Sequence, residues 1–330
     1  MSELREDPLT GRRVIIAENR SGRPNEYSPA VDSEADDTTP REDCVFCPGN
    51  EARTPHATHE TIDADGAWQT RTIPNKYPAI DPVARQGVHE VVIESRRHLQ
   101  RTGQLSVAEF ARVLLVYAER MAELAADAGL PYRLLFKNVG ASAGASLHHL
   151  HSQLIALPSV PPHIEAEQAR LAAYRQQQQG ACGWCDRIAA VRQDRDRVVG
   201  DWDEWLAFCP SASRQPYETW LLPTEHTPRF ESLADSPAAA ETLARQLLPL
   251  IRAIESQIVP HGYNLIIHTT PGGVLASGGE PGEGHWRMEI VPRVASLAGL
   301  ELATGLFMNV LSPERAAANL RRQIGSFRSE

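Results

Sequence analysis

Apolar stretches of two kinds along the chain predict strands separated by amphipathic helices. Residues 88–95 (VHEVVIES) and 217–223 (YETWLLP) are rich in β-branched and aromatic side chains, which favour strands. A helix is predicted to begin after Ser106, because Glu109 completes a capping box with it, and to end near Gly129. A second helix is predicted at 233–258. Loops are predicted at 31–43, 176–180 and 271–284.

These elements occur in the same order twice. Each half contains a C-x-x-C pair, a strand ending at a histidine, a helix, a strand, and a strand opening with a histidine. Cys47 and His98 are 51 positions apart in the first half, and Cys185 and His226 are 41 apart in the second, a difference that loop insertions produce. The order predicts a duplicated α+β unit, with antiparallel sheets and helices packed on one face, divided into residues 1–168 and 169–330.

The charge and the hydrophobic pattern of the chain exclude some classes of function. A chain of 330 residues with a net charge of −9 lacks the basic balance that nucleic-acid binding favours. No apolar run reaches the roughly 18 residues of a membrane span. The first residues show no basic segment followed by an apolar one, so no signal peptide is predicted. We therefore expect a cytoplasmic protein that binds neither nucleic acid nor membrane.

Four of the five cysteines form the two C-x-x-C pairs. In a large chain without secretion signals, such pairs indicate metal or redox chemistry, and a thioredoxin-like site is the alternative reading. Histidines at matching places in both halves favour two structural zinc sites with four ligands each, although each histidine could instead simply end a strand or cap a helix. The predicted ligand sets are Cys44, Cys47, His98 and His149, and Cys182, Cys185, His226 and His285.

The segment around His151 concentrates polar chemistry. On a strand, His149, His151 and Gln153 face one side, while Leu150, Ser152 and Leu154 face the other. A neutral imidazole at His151 suits nucleophilic attack on an α-phosphorus. Gln153 can donate its amide to a non-bridging oxygen but supplies no proton, which suits a leaving group that is already a stable phosphate. By itself, H-x-H-x-Q more often marks a half-buried strand.

A glycine- and serine-rich loop precedes this strand. Its backbone N–H groups, including those near Gly140 and Ala145, and the Ser146 hydroxyl are candidates to bind phosphate oxygens. The combination of loop, imidazole and adjacent metal ligand predicts an active site in the first half, with His151, Gln153 and Ser146 as its catalytic residues.

Five segments carry a family resemblance: CVFCPGNE, NKYPAI, HEVVIES, KNVGASAGASLHHLHSQLIALP and HWRMEIVPR. With them the chain resembles the galactose-1-phosphate uridylyltransferase family, a branch of the histidine-triad superfamily, nearly end to end. The resemblance implies two tandem histidine-triad-like units, usually as a homodimer, with His151 carrying the nucleotidyl group and His149 binding zinc. It also implies that Asn75 contacts the nucleotide, that residues 298–309 contribute to the sugar pocket, and that Asn138, Ser146 and Gln153 hold the phosphates.

Two departures from the family pattern bear on the substrate. Leu150 replaces a proline, and Arg287 and Glu289 follow His285 where some members have H-x-H for a further metal. The second C-x-x-C, GASAGAS and ALPSVPP resemble instead the subgroup that contains plant ADP-glucose phosphorylase. For Glu167, which matches a metal-binding glutamate of some relatives, we expect a place at the surface or at a helix start.

The predicted activity is ping-pong transfer between sugar 1-phosphates, with UDP-glucose and galactose 1-phosphate as the favoured pair in galactose metabolism. The close alternative is phosphorolysis of ADP-glucose by inorganic phosphate. A histidine-triad nucleotide hydrolase and a non-catalytic nucleotide-binding protein are further alternatives. His89 is expected to be an ordinary strand residue, His148 to pack or meet solvent, and Cys209 to be a buried thiol.

Overall fold

Strands and helices follow the order that the repeat predicts. The structure is a computed structural model and describes residues 2–20, 38–80, 86–272 and 284–327. The first half contains β1 (Glu3–Glu6), β2 (Arg13–Ile16), β3 (His59–Ile62), β4 (Trp68–Pro74), β5 (Val88–Ile93), α1 (Val107–Ala125), β6 (Tyr132–Val139), β7 (His151–Leu157) and α2 (Pro162–Gln177). The second contains α3 (Gly183–Asp194), β8 (Val198–Asp201), β9 (Trp205–Phe208), β10 (Thr219–Pro223), α4 (Pro237–Ile258), β11 (Tyr263–His268), β12 (Arg287–Pro292), α5 (Gly299–Thr304), β13 (Phe307–Asn309) and α6 (Pro313–Phe327).

One ten-stranded antiparallel sheet joins the two halves. Its strand order is β3-β4-β5-β7-β6-β11-β12-β10-β9-β8, so the second half repeats the first in reverse across the β6–β11 pair. In that central pair Asn138 lies opposite Asn264. The predicted α+β class with antiparallel sheets is confirmed, and the two half-sheets are continuous.

Helices α1 and α4 pack side by side on one face of this sheet. Apolar residues of α1 spaced three and four apart, such as Phe110, Leu114 and Tyr117, meet Leu154 of β7 in the main core. The second half adds Leu265, Met288 and Ile290 to the same core. The other face of the sheet is thereby left free of these two helices and carries the polar side chains described below.

The predicted helix boundaries need small corrections. The capping box at Ser106 is present, with Glu109 N–H donating to Ser106 Oγ at 3.2 Å. Helix α1 ends at Ala125 and not near Gly129, because the Asp127 carboxylate accepts the Gly129 N–H and forms a local turn. Helix α4 begins at Pro237 and not at residue 233, since Ser236 caps it and proline favours the first helical position.

Of the predicted loops, 31–37 and 273–283 lie outside the described residues. Residues 176 and 177 still belong to α2, so that loop begins two residues later than predicted. Residue 168 also lies inside α2, and the division into 1–168 and 169–330 stays a prediction. None of the helices described is long and apolar enough to cross a membrane.

Candidate active site

Strand β7 presents alternating side chains to the two faces of the sheet. Leu150 and Leu154 enter the core beneath α1, whereas His151 and Gln153 line a cavity on the opposite face. This agrees with the predicted alternation. His149 lies two residues before β7 begins, and its fully buried ring turns towards the cysteines of the first C-x-x-C pair.

The His151 ring is held in one orientation. Its Nδ1 atom donates to the carbonyl oxygen of His149 at 2.7 Å, which leaves Nε2 as the unprotonated nitrogen. The Phe46 ring lies against it with the ring centroids 5.4 Å apart. Burial lowers the pKa of His151 below its ordinary value, so the imidazole stays neutral near pH 7. A neutral ring with a fixed lone pair is a competent nucleophile.

The cavity beside His151 has a volume of about 210 Å³. Its polar walls include Asn75, Ser146 and Gln153, and its two charged lining residues, Arg53 and Lys76, are both cationic. No carboxylate lines it within the described parts of the chain. A small cavity with cations and amide donors beside a nucleophile suits a phosphate-containing ligand.

The other predicted phosphate contacts lie next to this cavity. Gly140 and Ala145 line a neighbouring cavity of about 140 Å³, which shares Ser146 with the first. Asn138 does not line either cavity, and its Oδ1 atom accepts the amide of Asn264 at 2.8 Å. Gly140 has a φ of +81°, and an added Cβ would approach Gly262 Cα to 3.1 Å, so the turn needs glycine.

The first predicted ligand set comes together beside β7. Cys44 Sγ and Cys47 Sγ each lie 3.5 Å from His149 Nδ1, and Cys47 Sγ lies 3.4 Å from His98 Nδ1. All four ligand atoms lie within 4.8 Å of one another, as one tetrahedral ion requires. The Nε2 atom of His149 donates to the Ser95 carbonyl at 2.8 Å, which leaves Nδ1 for a metal.

Burial changes the protonation equilibria of two members of this cluster. Burial lowers the pKa of His149 to about 4, so that ring is neutral, as a metal ligand must be. Burial raises the pKa of Cys47 to about 11, which makes its thiolate unfavourable without a compensating positive charge. Phe46, between the two cysteines in sequence, is the ring that rests on His151. This cluster therefore contacts His151 in two ways, through the His149 carbonyl and through the Phe46 ring.

The second ligand set forms a similar cluster in the other half. Cys185 Sγ lies 3.5 Å from His226 Nδ1 and 4.0 Å from His285 Nδ1, and all four ligand atoms, with Cys182, again lie within 4.8 Å. The Nε2 atom of His285 donates to the Pro223 carbonyl at 2.8 Å, the counterpart of the contact at His149. His226 is exposed, so this cluster lies nearer the surface than the first.

In the second half, the position that corresponds to His151 is occupied by Arg287, which belongs to a buried charged network. Arg287 follows His285 as His151 follows His149, and it donates to Glu167 at 2.6 Å and to Glu289 at 2.9 Å. Our expectation that Glu167 lies at the surface or a helix start is wrong, because this ion pair buries it to 2% exposure. Three more charged residues complete the network: Arg12, Arg214 and Glu218.

Known proteins match the chain over most of its length. A sequence profile described as galactose-1-phosphate uridyl transferase, N-terminal domain, matches residues 1–161. An ADP-glucose phosphorylase of Arabidopsis thaliana is 30% identical over 335 residues, which cover 97% of this chain and 92% of the relative. The chain belongs to the galactose-1-phosphate uridylyltransferase family. It is accordingly a hexose-1-phosphate nucleotidyltransferase.

Two further comparisons involve relatives that are named for two different activities. A galactose-1-phosphate uridylyltransferase of Thermotoga maritima is 22% identical over 97% of this chain and 98% of the relative. The crystal structure of an ADP-glucose phosphorylase from Arabidopsis thaliana with bound ADP-glucose has a TM-score of 0.83 at 30% identity, covering 97% of this chain and 98% of that one. The fold is therefore that of the family from end to end.

Sequence patterns left several residues of the site unidentified. Arg53, at the end of a short 3-10 helix, and Phe46 and Lys76, in loops, also line the cavity. No local sequence pattern shows that these segments meet there. His89, which we expected to be an ordinary strand residue, contacts Gln153. Cys209 is fully buried and His148 is exposed, as predicted.

Proposed function

We propose that the chain transfers a nucleotidyl group through a covalent intermediate on His151. The supporting observation is that the His151 ring is fixed through Nδ1 and lines a cavity whose two charged lining residues are cationic. In the first step Nε2 attacks the α-phosphorus of a nucleoside diphosphate sugar, a P–N bond forms, and the P–O bond to sugar 1-phosphate breaks. In the second step an acceptor phosphate oxygen attacks the same phosphorus and releases the imidazole.

The residues around His151 bind the phosphates and the nucleoside in this proposal. The Gln153 amide donates to a non-bridging oxygen as negative charge develops in the transition state. Ser146, at the junction of the two cavities, and the backbone of Gly140 and Ala145 bind the remaining phosphate oxygens, with Asn138 beside them. Asn75, directly after β4, contacts the nucleoside. Because the leaving group is a phosphate with a low pKa, no general acid is required.

We propose zinc for both Cys2His2 clusters. With Zn–S of about 2.3 Å and Zn–N of about 2.0 Å, a tetrahedral ion implies sulfur–nitrogen edges of about 3.5 Å. The first cluster has this spacing, and the second is slightly wider at one edge. Four protein ligands leave no open coordination position, so the ions would hold loops in place and would not polarise the substrate.

The donor and acceptor are proposed as one of two pairs. The galactose-1-phosphate uridylyltransferase relatives support UDP-glucose with galactose 1-phosphate, and the Arabidopsis thaliana relative supports ADP-glucose with inorganic phosphate. A transfer assay separates them: base-labelled UDP-glucose and ADP-glucose are each incubated with either acceptor. Label retained on the protein from one donor, and released by one acceptor, identifies the pair. Retention from neither donor would contradict the covalent mechanism.

A homodimer and a cytoplasmic location complete the proposal. Sedimentation of the purified chain would test the first, with a single species of monomer mass as the contradicting result.

A further inference from the structure

His89 lies on the cavity face of β5 between two parts of the proposed site. Its Nε2 atom lies 2.9 Å from Gln153 Oε1 and 3.1 Å from the Asn75 amide nitrogen, while its Nδ1 atom accepts the Ala79 N–H at 3.0 Å. The His89 carbonyl also accepts the backbone N–H of Asn75 at 2.8 Å. One ring thus connects the loop after β4 with the strand that carries His151.

These contacts determine the tautomer of His89. A backbone N–H can only donate, so Nδ1 must accept from Ala79 and the ring proton must lie on Nε2. Burial lowers the pKa of His89, which favours a neutral ring with only this one proton. The Nε2–H group therefore donates to the amide oxygen of Gln153, and the Asn75 amide nitrogen, 3.1 Å from the same atom, makes no hydrogen bond to it.

The orientation of the Gln153 amide follows. With its oxygen engaged by His89, its NH2 group is the end available to the cavity, and that nitrogen has no hydrogen-bond partner among the described residues. A rotated amide would present a carbonyl oxygen to a phosphate and repel it. The fixed donor at His89 excludes the rotated form.

We propose that His89 is a positioning residue that sets the Gln153 amide for transition-state binding. The inference rests on the proposed function, since it assigns a partner to a residue of that site. The ring of His89 has two separable tasks: Nδ1 holds the loop at Ala79, and Nε2 orients Gln153. Only the second acts on the chemical step.

A matched pair of substitutions separates the two tasks. In His89→Asn the side-chain oxygen reaches the Nδ1 position and keeps the Ala79 contact, but nothing reaches Gln153. In His89→Gln the amide nitrogen reaches the Nε2 position and can still donate to Gln153. We expect His89→Asn to slow formation of the nucleotidyl-enzyme about 10- to 100-fold at saturating donor, less than the 10²–10³-fold typical for deleting such a donor outright. We expect His89→Gln to stay within about fivefold of the parent.

A double-mutant cycle with Gln153→Ala distinguishes positioning from a general structural role. If His89 acts through Gln153, His89→Asn has no further effect on the rate once Gln153 is alanine. Equal rates for His89→Asn and the parent, or an undiminished effect of His89→Asn in the Gln153→Ala background, would overturn the inference. A parent that never forms the nucleotidyl-enzyme would instead end the proposed function, and this inference with it.

A measurement on the unaltered chain covers the case in which a variant fails to fold. Nitrogen-15 NMR of histidine-labelled protein, with the His89 ring assigned through its scalar couplings to the His89 backbone, reports which ring nitrogen carries the proton. We expect Nε2 to be protonated and Nδ1 bare, and the opposite tautomer would overturn the inference.

Discussion

Lys137 and Glu94 form an ion pair on the side of the sheet that faces helix α1, and we predict the effect of removing one partner on the free energy of unfolding. Lys137 Nζ donates to Glu94 Oε2 at 2.5 Å, and each side chain is at most 1% exposed. Ser152 Oγ and Tyr117 OH both donate to the other oxygen of Glu94. We expect Lys137→Met to reduce the free energy of unfolding severely, because it leaves the Glu94 carboxylate buried without a cation.

The expected magnitude follows from the burial of both groups. Breaking a fully buried ion pair costs roughly 3–5 kcal/mol, a large part of the roughly 5–15 kcal/mol that stabilises a typical domain. Burial lowers the pKa of Lys137 and Glu94 opposes that shift, so the positive charge of Lys137 depends on Glu94. Because the pair lies on the face opposite His151, folded molecules of the variant should form the nucleotidyl-enzyme within about threefold of the parental rate.

Urea unfolding followed by circular dichroism measures the change as a lower midpoint at an unchanged slope. The control is the double variant Glu94→Gln with Lys137→Met, which removes both charges and should recover at least half of the lost free energy. A loss below about 1 kcal/mol in Lys137→Met would refute the reasoning about burial. A loss of catalysis above tenfold in folded protein would refute the separation of the two sheet faces.

Two further predictions concern the metal clusters and the phosphate contact. Cys47→Ser and Cys185→Ser should each remove one equivalent of zinc, measured by elemental analysis. Only Cys47→Ser should also abolish transfer, because its cluster holds His149 and Phe46 beside His151. Equal transfer activity of the two variants would contradict this. Gln153→Glu should lower the rate of nucleotidyl-enzyme formation about 10²–10³-fold, because it replaces a hydrogen-bond donor by a negative charge, and its thermal stability should be unchanged. A rate within threefold of the parent would exclude the proposed role of the Gln153 amide.

Local patterns were sufficient to predict the strand that presents His151 and Gln153 and the convergence of both Cys/His sets. The period-two alternation at His151 and Gln153, and the repeated spacing of cysteines and histidines, depend on short-range geometry that the sequence displays directly. The same is true of the Ser106 capping box. These features need no knowledge of which strand pairs with which.

Features that depend on distant pairing could not be predicted in this way. The continuity of the two half-sheets results from the β6–β11 pair, and nothing local to either strand specifies that neighbour. His89 and Gln153 are 64 positions apart, and Arg287 and Glu167 are 120 apart. A histidine on a strand or a glutamate on a helix gains its role only when the tertiary structure supplies the partner. For that reason sequence reasoning missed His89 and misplaced Glu167.

The most direct test of the covalent mechanism is mass spectrometry of the protein after incubation with UDP-glucose or ADP-glucose in the absence of an acceptor. The covalent mechanism predicts one nucleoside monophosphate per chain, located on the peptide that contains His151. The adduct should be absent from a His151→Ala variant, which should also fail to transfer. An adduct on another residue, or a His151→Ala variant that still catalyses transfer, would contradict it.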